Sequence, residues 1–224
     1  DGKTLVYSPL EAGDMAILRV HPGSGNVPEP LMTSPSLNFT GVWLPDASAL
    51  VTVAVDLRRG TGQDIAVVRN QGKGPIEPLV ATQFMELYPA ISRDGAWLAF
   101  VSDQSGRNEV YVRRFAGSGD VTQVSQGGAD EPVWGANGQE LFYRSYAEEE
   151  PKLVAARIDS TAGFRIVERR SLFGLLGYVN TTPHASYDVS PDGTYFAFVR
   201  RNPANRMIIL QNFPELVKRR QGVR

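Results

Sequence analysis

The sequence predicts an all-β chain of four-stranded antiparallel blades, and three observations carry that prediction. A short turn followed by an alternating apolar strand recurs five times along the 224 residues. The copies are spaced at about the 40–45 residues that one four-stranded blade takes. No segment sustains a helical period until the last residues, where Pro214 opens a possible short helix over 214–220.

The copies read DGKTLVYS from Asp1, DASALVTV from Asp46, DGAWLAFV from Asp94, NGQELFYR from Asn137 and DGTYFAFV from Asp192. The steps between them are 45, 48, 43 and 55 residues. Four residues into each copy stand Leu5, Leu50, Leu98, Leu141 and Phe196, and six residues in stand Tyr7, Thr52, Phe100, Tyr143 and Phe198. Alternate positions of a strand face the same way, so these residues belong to one buried face. Three residues before the marker, Trp43, Ile91, Trp134 and Val189 end the preceding, innermost strand. A third strand starts sixteen residues on, at Ile17, Val110, Leu153 and Ile208, and slightly later in the second copy, at Ile65.

The marker is a hairpin turn. Asp-Gly and Asn-Gly suit it because Gly tolerates positive φ and the Asp or Asn side chain bonds the nearby backbone. Pro45 and Pro191 fix φ on entry to two of the turns. Ala47 replaces the Gly in the second copy, so a slightly different turn is expected there.

The third blade reads completely: strands at 87–92, 97–102, 109–115 and 121–125, joined by polar turns at 103–108 and 117–120. Radially repeated blades of this kind make a β-propeller. The expected blades are 1–35, 36–83, 84–126, 127–173 and 174–213 of a single domain, with 214–224 as a tail. The first begins at a second strand and the last has three strands. The expectation is therefore a part of a larger or incomplete propeller, with open edges that invite pairing.

Composition narrows the partners. Lys and Arg number 23 against 24 Asp and Glu, which lacks the basic excess of a general nucleic-acid binder. With no cysteine there is no disulfide, thiolate metal site or cysteine nucleophile. His21 and His184 lie far apart and form no metal-ligand spacing. Apolar runs are strand-sized, short of a membrane span. The chain opens on Asp1 rather than Met, which reads as a piece of a longer protein or a processed product, with a membrane anchor possible upstream.

Residues 88–115, YPAISRDGAWLAFVSDQSGRNEVYVRRF, resemble the WD40-like (PD40) repeat of the TolB family. Its Ser-Pro-Asp-Gly stands unaltered at Ser190–Gly193, and is modified to SRDG at 92–95 and GANG at 135–138. SYDVSPDGTYFAFV followed by MIILQNFPELVKRR resembles the closing blade of propellers fused to bacterial Ser/Thr protein kinases. The resemblance implies a non-catalytic propeller that binds a protein or ligand. It would be a sensor or scaffold domain of a bacterial envelope or kinase-linked protein, periplasmic or membrane-anchored. The alternatives are the accessory propeller of a prolyl-oligopeptidase-like peptidase and a stand-alone scaffold subunit of a membrane complex. A channel-site lyase or glycosidase would need a cluster of His and carboxylates, and only His184 is suitably placed.

Catalytic motifs do not appear. There is no G-x-S-x-G elbow. His184, Ser186 and Asp188 are neighbours in sequence, which is not triad geometry. Gly72-Lys73-Gly74 and Gly60-Thr61-Gly62 lack the remaining features of phosphate or dinucleotide loops and read as hairpin turns. Asp103, Gln104, Ser105 and Gly106 begin like a calcium loop but lack its later ligands. Glu148–Glu150 and Lys218–Arg220 read as solvated charge. No catalytic residue, metal or cofactor is expected.

Binding is expected on the propeller face that carries the loops between second and third strands together with the connections between blades. The largest insertion, near 173–186, falls there. The candidate partner-binding residues are Arg58, Arg59, Arg107, Tyr146, Tyr178, His184, Arg200 and Arg201, with Asp103, Phe39 and Phe84 nearby. Arg and aromatic side chains dominate interface energetics. Tyr146 and Tyr178 fall in connections, where a large ring has little reason to be buried.

Overall fold

A computed structural model describes residues 4–8, 16–23, 25, 27–33, 37–55, 62–117, 119–181, 183–200 and 207–211. The expected helix at 214–220 lies outside the described residues, as do Arg58, Arg59, Arg201, Gly60 and Thr61. The chain divides into two compact units, residues 1–89 and 90–224.

In the first unit, β1 (Leu5–Tyr7), β2 (Ala16–Val20) and β3 (Glu29–Thr33) form a three-stranded sheet in sequence order. Next comes a four-stranded sheet of β4 (Leu37–Trp43), β5 (Leu50–Val55), β6 (Gln63–Val68) and β7 (Ile76–Val80). Ile17 and Met32 of the first sheet bury against Leu50 and Val68 of the second, with Trp43 packed on the cluster. Residues 69–72 form one helical turn, but Asn70 and Gln71 have φ of 53° and 56°, so the segment works as the hairpin turn expected between β6 and β7.

The third sheet contains β8 (Glu86–Ile91), β9 (Trp97–Ser102), β10 (Glu109–Arg114) and β11 (Thr122–Gln123). In the second unit, β12 (Ala129–Trp134), β13 (Glu140–Ser145), β14 (Lys152–Asp159) and β15 (Arg165–Gly174) form the fourth. The fifth is three-stranded: β16 (Tyr187–Val189), β17 (Tyr195–Val199) and β18 (Met207–Gln211). These are the repeated antiparallel blades of a β-propeller. The innermost strands end at Trp43, Ile91, Trp134 and Val189, as the repeat register requires.

That register also sets the core. Leu50, Leu98, Leu141 and Phe196 are buried, and so are Thr52, Phe100, Tyr143 and Phe198. β1 departs from the pattern: Leu5 is 53% exposed and Tyr7 half-buried, while Val6 between them packs on the core cluster of the first unit. Between the fourth and fifth sheets the core is aromatic. Phe142 meets Phe196 edge-on at 4.9 Å, and Tyr187 stacks on Phe198 at 5.0 Å. Neighbouring blades thus bind through side chains that point out of facing sheets.

Two expectations need correction. Ala47 makes the same turn as the glycines: its φ is 55°, against 72° at Gly95, 69° at Gly138 and 72° at Gly193. Its N–H donates to the Leu44 carbonyl at 2.8 Å, as the Gly95 N–H does to Ser92. The Asp46 carboxylate, accepting from both the Ser48 N–H and hydroxyl, helps hold the turn. The fourth strand of the third blade is also shorter than 121–125. Beyond Gln123 the Val124 N–H still donates to the Val110 carbonyl at 2.7 Å, but the Val110 N–H goes to the Ser125 hydroxyl at 2.8 Å instead of a backbone carbonyl.

Candidate functional site

The 55-residue step between the last two markers places the largest insertion between β15 and β16, at 175–186. Leu175 anchors it, fully buried, with its N–H on the Pro151 carbonyl. The segment turns through Gly177 (φ 84°) and runs beside the end of β17, where the Val179 N–H donates to the Val199 carbonyl at 2.8 Å. It returns at Ser186, whose carbonyl accepts from the Val199 N–H at 3.3 Å.

A bulge in β12 points charge at this segment. The β12–β13 register shifts between Asp130 and Val133, and Glu131 takes a φ of 52°. Tyr88 has the same φ at the equivalent step of β8, so the bulge is a feature of the repeat. Glu131, fully buried, accepts Arg144 Nε on Oε2 at 2.7 Å and the Ser186 N–H on Oε1 at 2.9 Å. Its carbonyl accepts the Tyr187 hydroxyl at 2.8 Å. Arg144 reaches the Val179 carbonyl through Nη2 at 2.8 Å. Asp130 Oδ2 accepts the Tyr146 hydroxyl at 2.9 Å and Asn180 Nδ2 at 3.0 Å.

The electrostatics follow from burial. Desolvation, and then the neighbouring Glu131 charge, push the Asp130 carboxyl up to about 6, against the pull of Asn180, Tyr146 and Arg144. The Tyr146 phenol is raised as well, first by burial and then by Asp130. Burial lowers the His184 imidazole.

Beside this network lies an open cleft of about 460 Å³, lined by Val179, Thr181, Ser186, Asp188, Ala197 and Val199 among others. Val199 is 45% exposed. Ser186 is no nucleophile in waiting: its hydroxyl pairs with Thr181 Oγ1 and accepts the Thr181 N–H, while Asp188 Oδ1 takes its neighbour's Val189 N–H. Among the described residues no group of His and carboxylates is arranged to hold a metal.

No family model matches the chain. A protein TolB homolog of Chlorobium luteolum is 28% identical over 138 residues, 61% of this chain and 29% of the homolog. The solved structure of TolB from Acinetobacter baumannii superposes with a TM-score of 0.68 at 16% identity, over 93% of this chain and 50% of that one. The chain is a TolB-like β-propeller. It spans about a third of the curated relative and half of the solved one. The same fold, at a TM-score of 0.61 and 15% identity, occurs in an oligogalacturonate lyase in complex with manganese, over 95% of this chain and 60% of the lyase.

In this TolB-like propeller the loops between second and third strands do share a face with the blade connections. Tyr146, on the β13–β14 loop, bonds Asn180 of the 175–186 connection, and the Ala129 N–H donates to the Asn108 carbonyl of the β9–β10 loop. Tyr178 and Arg200 pair as an isolated β-bridge. Arg107 is exposed on the β9–β10 loop of the third blade, and Arg200 is exposed beside the cleft.

Of the two tyrosines, Tyr178 departs from the expectation of an unburied ring. Tyr178 packs its ring 5.1 Å from Phe198 and belongs to the core margin. Tyr146 keeps 41% of its surface exposed, but its hydroxyl is tied to Asp130. The sequence reading missed Asp130, Glu131, Arg144 and Asn180. For Asp130, Glu131 and Arg144 the signal was present, as charged residues inside strands that otherwise read as apolar; Asn180, in a connection, carried none.

Proposed function

We propose that this chain is a non-catalytic binding propeller, taking a protein or peptide partner on the face that carries the 175–186 connection. The observation that carries the reading is the open cleft walled by that connection. Its lining includes the exposed apolar Val199, and the exposed Arg200 follows Val199 along the chain. Exposed apolar surface beside Arg is a composition that favours protein partners. Likeness to TolB supports an extracytoplasmic location, and a role as sensor or scaffold of an envelope or kinase-linked protein.

Site-specific photo-cross-linking tests this. A cross-linker at position 199 in native cells should give one adduct of discrete mass. It should disappear in Arg200→Glu and persist in a control substituted at exposed Gly119. Absence of any adduct at 199, in a chain with a wild-type circular dichroism spectrum, would overturn the reading.

A further inference from the structure

The pocket under the 175–186 connection holds two carboxylates and one guanidinium. Glu131 is fully buried and Asp130 is 8% exposed. Arg144, 2% exposed, bonds Glu131 at 2.7 Å but stays 3.9 Å from Asp130 Oδ1. That oxygen is buried and makes no hydrogen bond. One negative charge is therefore in excess when both acids are ionised, and it sits on Asp130. The connection closes over it through Asn180 on Oδ2, Ser186 on Glu131 and the Val179 carbonyl on Arg144.

We propose that the 175–186 connection is a pH-gated strap: it is held shut while Asp130 is neutral and is released when Asp130 carries its charge. A buried excess charge is relieved in only two ways, by taking a proton or by reaching water. Lifting the strap is the short route to water, because Asn180 lies directly on the carboxylate.

The groups around Asp130 act in both directions, and burial decides the balance. From β12 Glu131 opposes its charge, from β13 and its loop Arg144 and Tyr146 favour it, and from the strap Asn180 donates to it. The balance leaves the closed carboxyl up near 6. In the open strap, water returns it toward 3.8. The closed form therefore binds more protons, so closure is favoured at low pH and weakens as pH rises through about 6. Tyr187, fully buried on Glu131, is held well above the ordinary phenol value and stays neutral throughout. His184 on the strap acts in the opposite sense: burial lowers its value, so its protonation favours release, on the acid side of its ordinary pH. Asp188 is exposed on β16. The device is independent of what the cleft binds.

Amide hydrogen exchange on the full chain, corrected for intrinsic rates, reads the strap through the Val179, Thr181 and Ser186 N–H groups. The opening constant should rise about tenfold from pH 5 to pH 7.5. Asp130→Asn, a neutral mimic, should give the acid-like protection at both pH values. Flat protection in the wild type, or an unchanged pH dependence in the variant, would overturn the proposal. A carboxyl ¹³C titration of the wild type is the second measurement and needs no variant. A midpoint for Asp130 near 6 supports the strap, and one below about 4, the ordinary Asp value, overturns it.

Discussion

Arg144 Nε stands 2.7 Å from Glu131 Oε2, and this one contact couples a bulge in β12 to the neighbouring strand β13 and to the connection beyond. Both side chains are removed from water. Breaking such a pair from one side leaves a buried charge without compensation, which costs about 3–5 kcal/mol. Arg144→Ala should therefore destabilise the chain on that scale in urea unfolding. Arg144→Met with Glu131→Gln should cost clearly less than the sum of the single changes, because neither variant then strands a charge. Additive losses would show that the two side chains act separately.

The same pocket makes overall stability depend on pH. The folded Asp130 value of about 6 lies above its unfolded value near 3.8, so its protonation contributes stability that is complete below the unfolded value and is lost as pH rises through about 6. Between pH 5 and 7.5 the loss amounts to about 1.4 kcal/mol. Asp192 works in reverse. Its turn partners Ser190 and Thr194 hold it down near 2, so its contribution fades as the pH falls toward that value. Denaturant titrations across pH should show stability rising from pH 7.5 to 5, and Asp130→Asn should flatten that rise.

The repeat made the blades legible, since a period of two along each strand, re-entered at each marker, decides which residues face inward. Leu98, Leu141 and Phe196 were placed in the core on that ground alone, and the ends of the inner strands at Trp43, Ile91, Trp134 and Val189 follow from it. The charges of the polar lock were visible inside their strands, but their pairing was not legible. Asp130 and Arg144 face each other across β12 and β13, but it is the irregularity between Asp130 and Val133 that brings Glu131 onto the same guanidinium, and the repeat register carries no sign of it. Tyr178 was misread for a related reason. Position in a connection says nothing of packing when the connection itself lies against Phe198.

Gly41 tests the bulge in the second blade. A Cβ there would stand 1.5 Å from the Val51 carbonyl oxygen and 2.7 Å from Thr52 Cα, both backbone atoms of the partner strand. No rotamer relieves such an overlap, so β4 and β5 would have to separate. Gly41→Ala should cost more than about 4 kcal/mol, in the range reserved for broken backbone or core. It should appear as loss of the cooperative unfolding transition. A variant that unfolds like wild type would mean the strands pair differently.

Ala47 offers the opposite sign. It holds φ at 55° in a turn whose other copies carry glycine, and an L-residue there costs about 1–2 kcal/mol against glycine. Glycine recovers that strain but gives back part of it through a freer unfolded chain. Ala47→Gly should therefore stabilise the chain by about 0.5–1 kcal/mol. Gly95→Ala, at the matching position with φ of 72°, should destabilise it by a similar amount. Equilibrium unfolding of the two single variants, compared with the exchange of both, decides the matter. Opposite shifts of equal size mean that the turns at Ala47 and Gly95 are one structure. A neutral Ala47→Gly would mean that the Asp46–Ser48 hydrogen bonds already offset the strain at that turn.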